Sequence, residues 1–307
     1  MNYLFIIDPP EKLALYKDTS ALLMKECLRQ KINIFYTTCD AISIDSTQNI
    51  EVECSQILTI NETITASKKS KNNINYFNKI FIRNDPPFDA AYLNLTYILD
   101  HLKNTNIKIF NNPTAIRNHN EKLSILQFHD LITPTLVTSS ISAIKEFVSE
   151  HEKIILKPLH GMAGNGIFMV TKDDKNFNVI LETMIGETHQ LIMAQKFIPE
   201  IKDGDTRIII INGVALPYGL SRIPRPDEIR ANLAKGGSAL IRDLNAKDEI
   251  IINRIKPYLI KNQLNFVGID VIGPYLTEIN VTSPTGLVEI QKQSDINVAE
   301  FVINALQ

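Results

Sequence analysis

The chain has 307 residues, 44% hydrophobic and 21% charged, with a formal net charge of -2. This is globular composition, and the length fits two or three packed units, each burying its own apolar surface. Charges of both signs are mixed along the chain with no basic excess, which excludes a polyanion-binding surface, so no nucleic-acid partner is expected.

The first apolar run, 1–8, has no basic leader and ends at Asp8, so it is expected to be neither a signal peptide nor a membrane span. The expectation is a cytoplasmic protein with no membrane partner. Cys27, Cys39 and Cys54 are odd in number and lack metal-ligand spacing, so they read as ordinary thiols rather than disulfides or a zinc site.

In chain order, apolar strand-like runs at 3–7, 34–36, 79–83 and 107–110 alternate with amphipathic stretches at 21–30 and 92–102. This predicts a βαβ unit with a mainly parallel sheet, closing at Asn111, Asn112 and Pro113. The polar stretch 62–75 is expected to be a surface excursion. After Lys122 the pattern predicts a helix through Phe128, a linker at Thr133 and Pro134, and a helix over 142–151. Runs 153–157 and 166–170 predict an antiparallel pair with a glycine-rich tip. Strands at 208–211, 215–221, 267–272 and 276–281 follow, with helices near 247–261 and 297–306. No internal repeat or low-complexity tract interrupts them.

Three clusters carry chemistry. Lys157 ends a strand-like run just before Gly161, Gly164 and Gly166. Glycines admit backbone N–H groups close to an anion and lysine supplies a point charge for phosphate, although a hairpin turn needing positive φ explains the same glycines. Asp270 is followed by Glu278 and Asn280, which share a strand face because residues two apart point the same way. If the two strands are neighbours, three hard oxygen donors converge, as Mg²⁺ requires; a polar face open to water is the alternative. Arg207 and Arg222 fall at strand ends and Arg230 beyond them, placed to neutralise phosphate charge in the same cleft.

Further motifs join these clusters: Asn120-Glu121-Lys122, Ile155-Leu156-Lys157-Pro158-Leu159, Met193-Ala194-Gln195, Lys202-Asp203-Gly204-Asp205, Arg222-Ile223-Pro224, Arg230-Ala231-Asn232 and Thr277-Glu278-Ile279-Asn280-Val281-Thr282-Ser283-Pro284. Together they closely resemble bacterial glutathione synthetases of the ATP-grasp superfamily. Asp8-Pro9, Lys17-Asp18-Thr19-Ser20, the run from Arg83 to Asp89, and Thr96-Tyr97-Ile98-Leu99 resemble that family's substrate-binding part, so the likeness spans nearly the whole chain.

The resemblance implies an α/β protein of ATP-grasp fold. An N-terminal α/β substrate-binding domain (1–121) would be followed by a central lid (122–200) and a C-terminal catalytic domain (201–307). It implies that ATP phosphorylates the cysteinyl carboxylate of γ-glutamylcysteine and that glycine's amine attacks the acyl phosphate, releasing glutathione, ADP and phosphate. Lys122 and Lys157, with the tip glycines Gly161 and Gly164, would hold nucleotide phosphates. Gln195, Phe197 and Ile198 would border the adenine and Asp205 the ribose. Asp270, Glu278 and Asn280 would hold two Mg²⁺, with Mn²⁺ as a substitute. Arg207, Arg222 and Arg230 would act on the phosphoryl group and the acyl phosphate, which fits a reaction that needs charge neutralisation more than a side-chain nucleophile. The partners implied are these small molecules and further copies of the chain in a tetramer. The family's pattern is departed from at His160 and Ala163, across 225–229, and at Ser238, Ala239 and Leu240. Segment 225–240 is expected to close over the acid substrate. The alternatives are an ATP-grasp ligase for another acid and amine, and a non-catalytic nucleotide-binding regulator on the same scaffold.

Overall fold

The structure, a computed structural model, describes residues 1–161, 164–225, 228, 230, 231 and 238–307. The chain begins with β1 (Asn2–Ile6), α1 (Thr19–Arg29), β2 (Asn33–Thr37), β3 (Ile42–Ile44), β4 (Ile50–Ile60), β5 (Ile64–Ala66), β6 (Ser70–Asn73), β7 (Lys79–Ile82), α2 (Ala90–Asp100) and β8 (Lys108–Phe110). Strand order is β3-β4-β2-β1-β7-β8, with β5 and β6 also paired to β4. Tyr3, Leu4, Phe5 and Ile6 of β1 are all fully buried, as a strand covered on both faces demands.

Only part of this sheet is parallel. β1 runs parallel to β2 and β7, and β7 to β8, but β4 is antiparallel to β2, β3, β5 and β6. The expected mainly parallel sheet is therefore mixed, and the polar excursion at 62–75 contains two strands. The physical reason is the long edge of β4, whose backbone groups need partners whatever side chains the partner carries. α1 starts at Asp18, which accepts from Ala21 N at 2.7 Å, and α2 at Asp89, which accepts from Tyr92 N at 2.9 Å.

Next come α3 (Pro113–Asn118), a 3₁₀ segment at Leu123–Phe128 where the sequence predicts an ordinary helix, β9 (Thr135–Thr138), α4 (Ile141–His151), β10 (Lys153–Pro158), β11 (Phe168–Thr171), α5 (Phe177–Ile185) and β12 (Ile192–Lys196). The strands form an antiparallel sheet, β11-β10-β12-β9. Ile144 and Val148 of α4 and Leu181 of α5 are buried with Leu156 and Ala194 beneath these helices.

The last part holds β13 (Asp205–Ile211), β14 (Val214–Ile223), β15 (Ser238–Asp243), α6 (Ala246–Lys261), β16 (Phe266–Ile272), β17 (Tyr275–Asn280), α7 (Leu287–Gln293) and α8 (Val298–Ala305). Its antiparallel order is β15-β14-β13-β16-β17. On one face Ile251, Ile255 and Leu259 of α6 pack against Ile208, Ile210 and Ile269. On the other, Ile209 and Ile211 share a core with Leu287, Val302 and Ile303 and with Phe5, Leu23 and Phe81 of the N-terminal sheet. The expectation that each unit buries its own apolar surface is thus corrected: α1, α7 and α8 fill one core between the two sheets.

Asn111 ties the same units by hydrogen bonds. Its amide donates to Phe266 O and Val281 O, both at 2.7 Å, and accepts from Phe266 N at 2.6 Å.

Candidate functional site

A cavity of about 1180 Å³ opens where the three sheets meet. Every predicted site residue lines it: Lys122, Lys157, Gly161, Gly164, Gln195, Phe197, Ile198, Asp205, Arg207, Arg222, Arg230, Asp270, Glu278 and Asn280. Strand register brings the oxygen donors together. β16 and β17 are antiparallel neighbours with Asp270 opposite Glu278 and Gly268 opposite Asn280, while Ile279 turns into the core. The same register sets Arg207 of β13 beside Asp270, and Asp205 across from Arg222 of β14.

These charges neutralise one another. Arg207 grips Asp270 with Nε on Oδ1 and Nη2 on Oδ2, the latter at 2.9 Å, and Arg222 Nη2 reaches Asp270 Oδ1 at 3.0 Å and Asp205 Oδ2 at 2.6 Å. Burial works against the Asp270 carboxylate, but Arg207 and Arg222 hold it below the usual range. Asp205 is pushed up to about 7 by burial, which Arg222 only partly opposes. Burial also works against the Arg222 cation, yet Asp205 and Asp270 keep it charged above its ordinary value. Asp205 Oδ1 is buried without a hydrogen-bond partner.

Glu278 has its own cations, Lys122 Nζ at 3.5 Å and Lys157 Nζ at 4.0 Å. Lys122 also donates to Gly161 O at 2.8 Å, tying the 3₁₀ segment to the glycine-rich tip. Lys157 donates to Thr277 O at 3.3 Å, and burial lowers its ammonium below the ordinary lysine value, with Glu278 opposing the shift. Gln195 on β12 donates to Thr135 Oγ1 at 2.9 Å. Arg230 donates to Gly164 O at 3.4 Å. Gly164 and Gly166 have φ of +74 and +71, so the tip uses the conformational freedom that the spacing predicted. Ala163 and most of the expected closing segment, 226, 227, 229 and 232–237, lie outside the described residues.

Among the described residues, no group of three or more His, Cys, Asp and Glu side chains is arranged for a metal. Asp270, Glu278 and Asn280 supply two carboxylates and an amide, a hard-oxygen set that suits a divalent cation completed by other oxygens.

Sequence reasoning gave no individual role to the residues at the other end of the cavity, although Asp8, Asp18 and the run 83–89 fall in motifs that resemble the family's substrate-binding part. There Asp8, Asp18, Asp40, Asp85 and Asp89 line the wall with Asn84 and Tyr92, near the C-terminal ends of the parallel strands. Glu121, quoted in the motif with Asn120 and Lys122, was given no role either. Its Oε1 accepts from Val281 N at 3.0 Å and from Thr282 N at 3.2 Å and Oγ1 at 2.7 Å, fixing the chain beyond Asn280. Its position beside Lys122 was the available signal.

Residues 1–117 match the N-terminal domain of prokaryotic glutathione synthetase and residues 121–295 its ATP-grasp domain. The glutathione synthetase of Nitrosomonas europaea is 40% identical over 314 residues, covering 100% of this chain and 98% of that one. That of Neisseria meningitidis is 39% identical over 312 residues, with the same coverage. Among solved structures, a D-cycloserine synthetase superposes with a TM-score of 0.68 at 13% identity, covering 99% of this chain and 100% of the other. The D-alanyl-alanine synthetase A of Vibrio cholerae superposes with a TM-score of 0.60 at 13% identity, covering 99% and 96%. These distant likenesses establish the ATP-grasp fold, and the full-length matches establish that the chain belongs to the prokaryotic glutathione synthetase family.

Proposed function

We propose that this chain joins γ-glutamylcysteine to glycine, cleaving ATP to ADP and phosphate through an acyl phosphate on the cysteinyl carboxylate. The observation that carries this reading is the facing trio Asp270, Glu278 and Asn280 ringed by Lys122, Lys157, Arg207 and Arg222, in a chain matching glutathione synthetases end to end.

The residues divide the work. Lys122 and Lys157 exchange Glu278 for nucleotide phosphates, and the glycine-rich tip at Gly161 and Gly164 covers them. Gln195, Phe197 and Ile198 border the adenine. Asp205, with one oxygen lacking a partner, accepts from a ribose hydroxyl. Arg207 and Arg222 sit where charge builds up on the transferring phosphoryl group, which is the main demand of phosphoryl transfer. Arg230, bonded to Gly164 O beside the glycine-rich tip, adds a third cation. Asp270, Glu278 and Asn280 are the residues that would hold Mg²⁺, which supplies Lewis-acid neutralisation of phosphoryl oxygens when bound. The reaction is proposed to run in the cytoplasm, on a tetramer of the chain.

Phosphate release from ATP, followed with γ-glutamylcysteine in the presence and absence of glycine, is the test. Glutathione and phosphate should form in equal amounts only when both are supplied. Faster ligation of a different acid or amine would overturn the substrate assignment.

A further inference from the structure

At the end of the cavity that holds the lysines and arginines, Asp270, Asp205 and Glu278 are already paired. Asp270 is held by Arg207 and Arg222, Asp205 by Arg222, and Glu278 by Lys122 and Lys157. Glu121 lines the same cavity, and among the described residues no lysine, arginine or histidine pairs with it. Its two oxygens are used unequally. Oε1 accepts from Val281 N at 3.0 Å, from Thr282 N at 3.2 Å and from Thr282 Oγ1 at 2.7 Å. The backbone oxygen of Glu121 accepts from Ile279 N at 2.9 Å, so both ends of the residue are fixed to β17 and the chain leaving it. Oε2 receives no bond among the described residues, and the side chain is only half-buried. A carboxylate clamped through one oxygen presents the other to the cavity in a set direction.

Its place along the cavity is as telling. Val281 and Thr282 directly follow Asn280, so the clamp lies within roughly 7 Å of chain from the metal-binding trio. In the other direction, burial and then the charge of Glu121 push the Tyr92 phenol up, and Tyr92 belongs to the aspartate-walled end. Glu121 therefore flanks the middle of the cavity, beside the place where an acid's carboxylate lies to meet a phosphoryl group held at the trio.

We propose that Glu121 is a catalytic residue for the second half of the reaction: Oε2 binds the ammonium of the acceptor amine and takes a proton from it. This rests on the function proposed above. Glycine arrives with its nitrogen lone pair occupied by a proton. That proton passes to Glu121 Oε2, and the freed pair forms the C–N bond to the acyl carbon. The C–O bond to phosphate breaks with its electrons going to the phosphate. A second nitrogen proton goes to that phosphate, which leaves as hydrogen phosphate, and Glu121 returns its own proton to water. A carboxylate suffices as the base, because the nitrogen becomes far more acidic as the C–N bond forms.

Hydroxylamine is uncharged at neutral pH and attacks an acyl phosphate without first shedding a proton. The experiment supplies the full chain with ATP, γ-glutamylcysteine and either glycine or hydroxylamine, and reads glutathione or hydroxamate. Glu121→Gln keeps the shape and an amide oxygen for the three donors. It should lower glycine ligation by roughly a hundredfold or more, the scale of general base catalysis, while hydroxamate formation falls far less. Glu121→Asp keeps the charge but withdraws it by one methylene; it should lower the same ratio and serves should the first variant fail to fold. Equal losses with both acceptors, or a ratio that neither variant changes, would overturn the role and leave Glu121 a clamp alone. Glutathione without hydroxamate from the unaltered chain would overturn it too, since an uncharged nucleophile would be refused where no base is needed. Absence of both products from the unaltered chain would instead overturn the proposed function, before any variant is made.

Discussion

Asp205 shows how a single side chain records the cost of crowding charges in the cavity. Its carboxyl lies at about 7 in the fold against 3.8 as a free side chain, because burial outweighs the pull of Arg222. Between those values the folded chain holds a proton that the unfolded chain has released. The stability this group contributes is therefore full below 3.8 and is lost as pH rises through about 7. Asp205→Asn removes the titration and keeps the shape. Thermal melts should show the melting temperature of the unaltered chain, relative to the variant, falling by a few degrees between about pH 5 and about pH 8. A difference that stays level would mean that Asp205 remains ionised throughout.

At the scale of elements, β16 and β17 bring the donors together, and one glycine makes the arrangement possible. A Cβ on Gly268 would lie 2.8 Å from Arg207 Cδ and 3.0 Å from Pro284 Cβ, so the arginine's stem crosses the strand where a side chain would stand. Gly268→Ala should push Arg207 off Asp270, lowering turnover roughly tenfold or more and destabilising the fold by about 1–3 kcal/mol. Steady-state rates and a melt check both, and a normal turnover would show that the stem shifts freely. The shared face of Glu278 and Asn280 was legible in the sequence because alternation fixes which face each residue takes, whereas the pairing of β16 with β17 was only a condition of that reading; the β10 and β11 hairpin was legible as well. The pairing of β5 and β6 with β4 was not, because Ser70, Lys71, Asn72 and Asn73 carry no apolar pattern and join through their backbones. α7 escaped for lack of length, at seven residues. The gathering of oxygen donors at one end of the cavity was readable because Glu278 and Asn280 are bunched in one stretch. The cavity's acidic wall was legible only as motifs resembling a substrate-binding part, because Asp8 and Asp85 come from separate turns and nothing in their spacing shows that they meet.

For the molecule as a whole, the junction of the N-terminal unit with the C-terminal sheet is a core crossed by the fully used amide of Asn111. Asn111→Ala would strand Phe266 N, Phe266 O and Val281 O in a buried place. At about 1–3 kcal/mol for each stranded group, calorimetry should record a melting temperature lower by roughly 5–15 °C. A change of only about a degree would mean that water enters and takes the bonds. The amide also has a metrological consequence. Because it grips the strands that carry Asp270 and Glu278 from the side that carries the aspartate wall, the gap between those two places does not adjust to what enters it. On the function proposed above, the cavity would then work as a caliper with fixed jaws, selecting an acid for its length as well as its charges. β-Aspartylcysteine, one methylene shorter, should then compete poorly against γ-glutamylcysteine, and equal competition would mean that the gap adjusts.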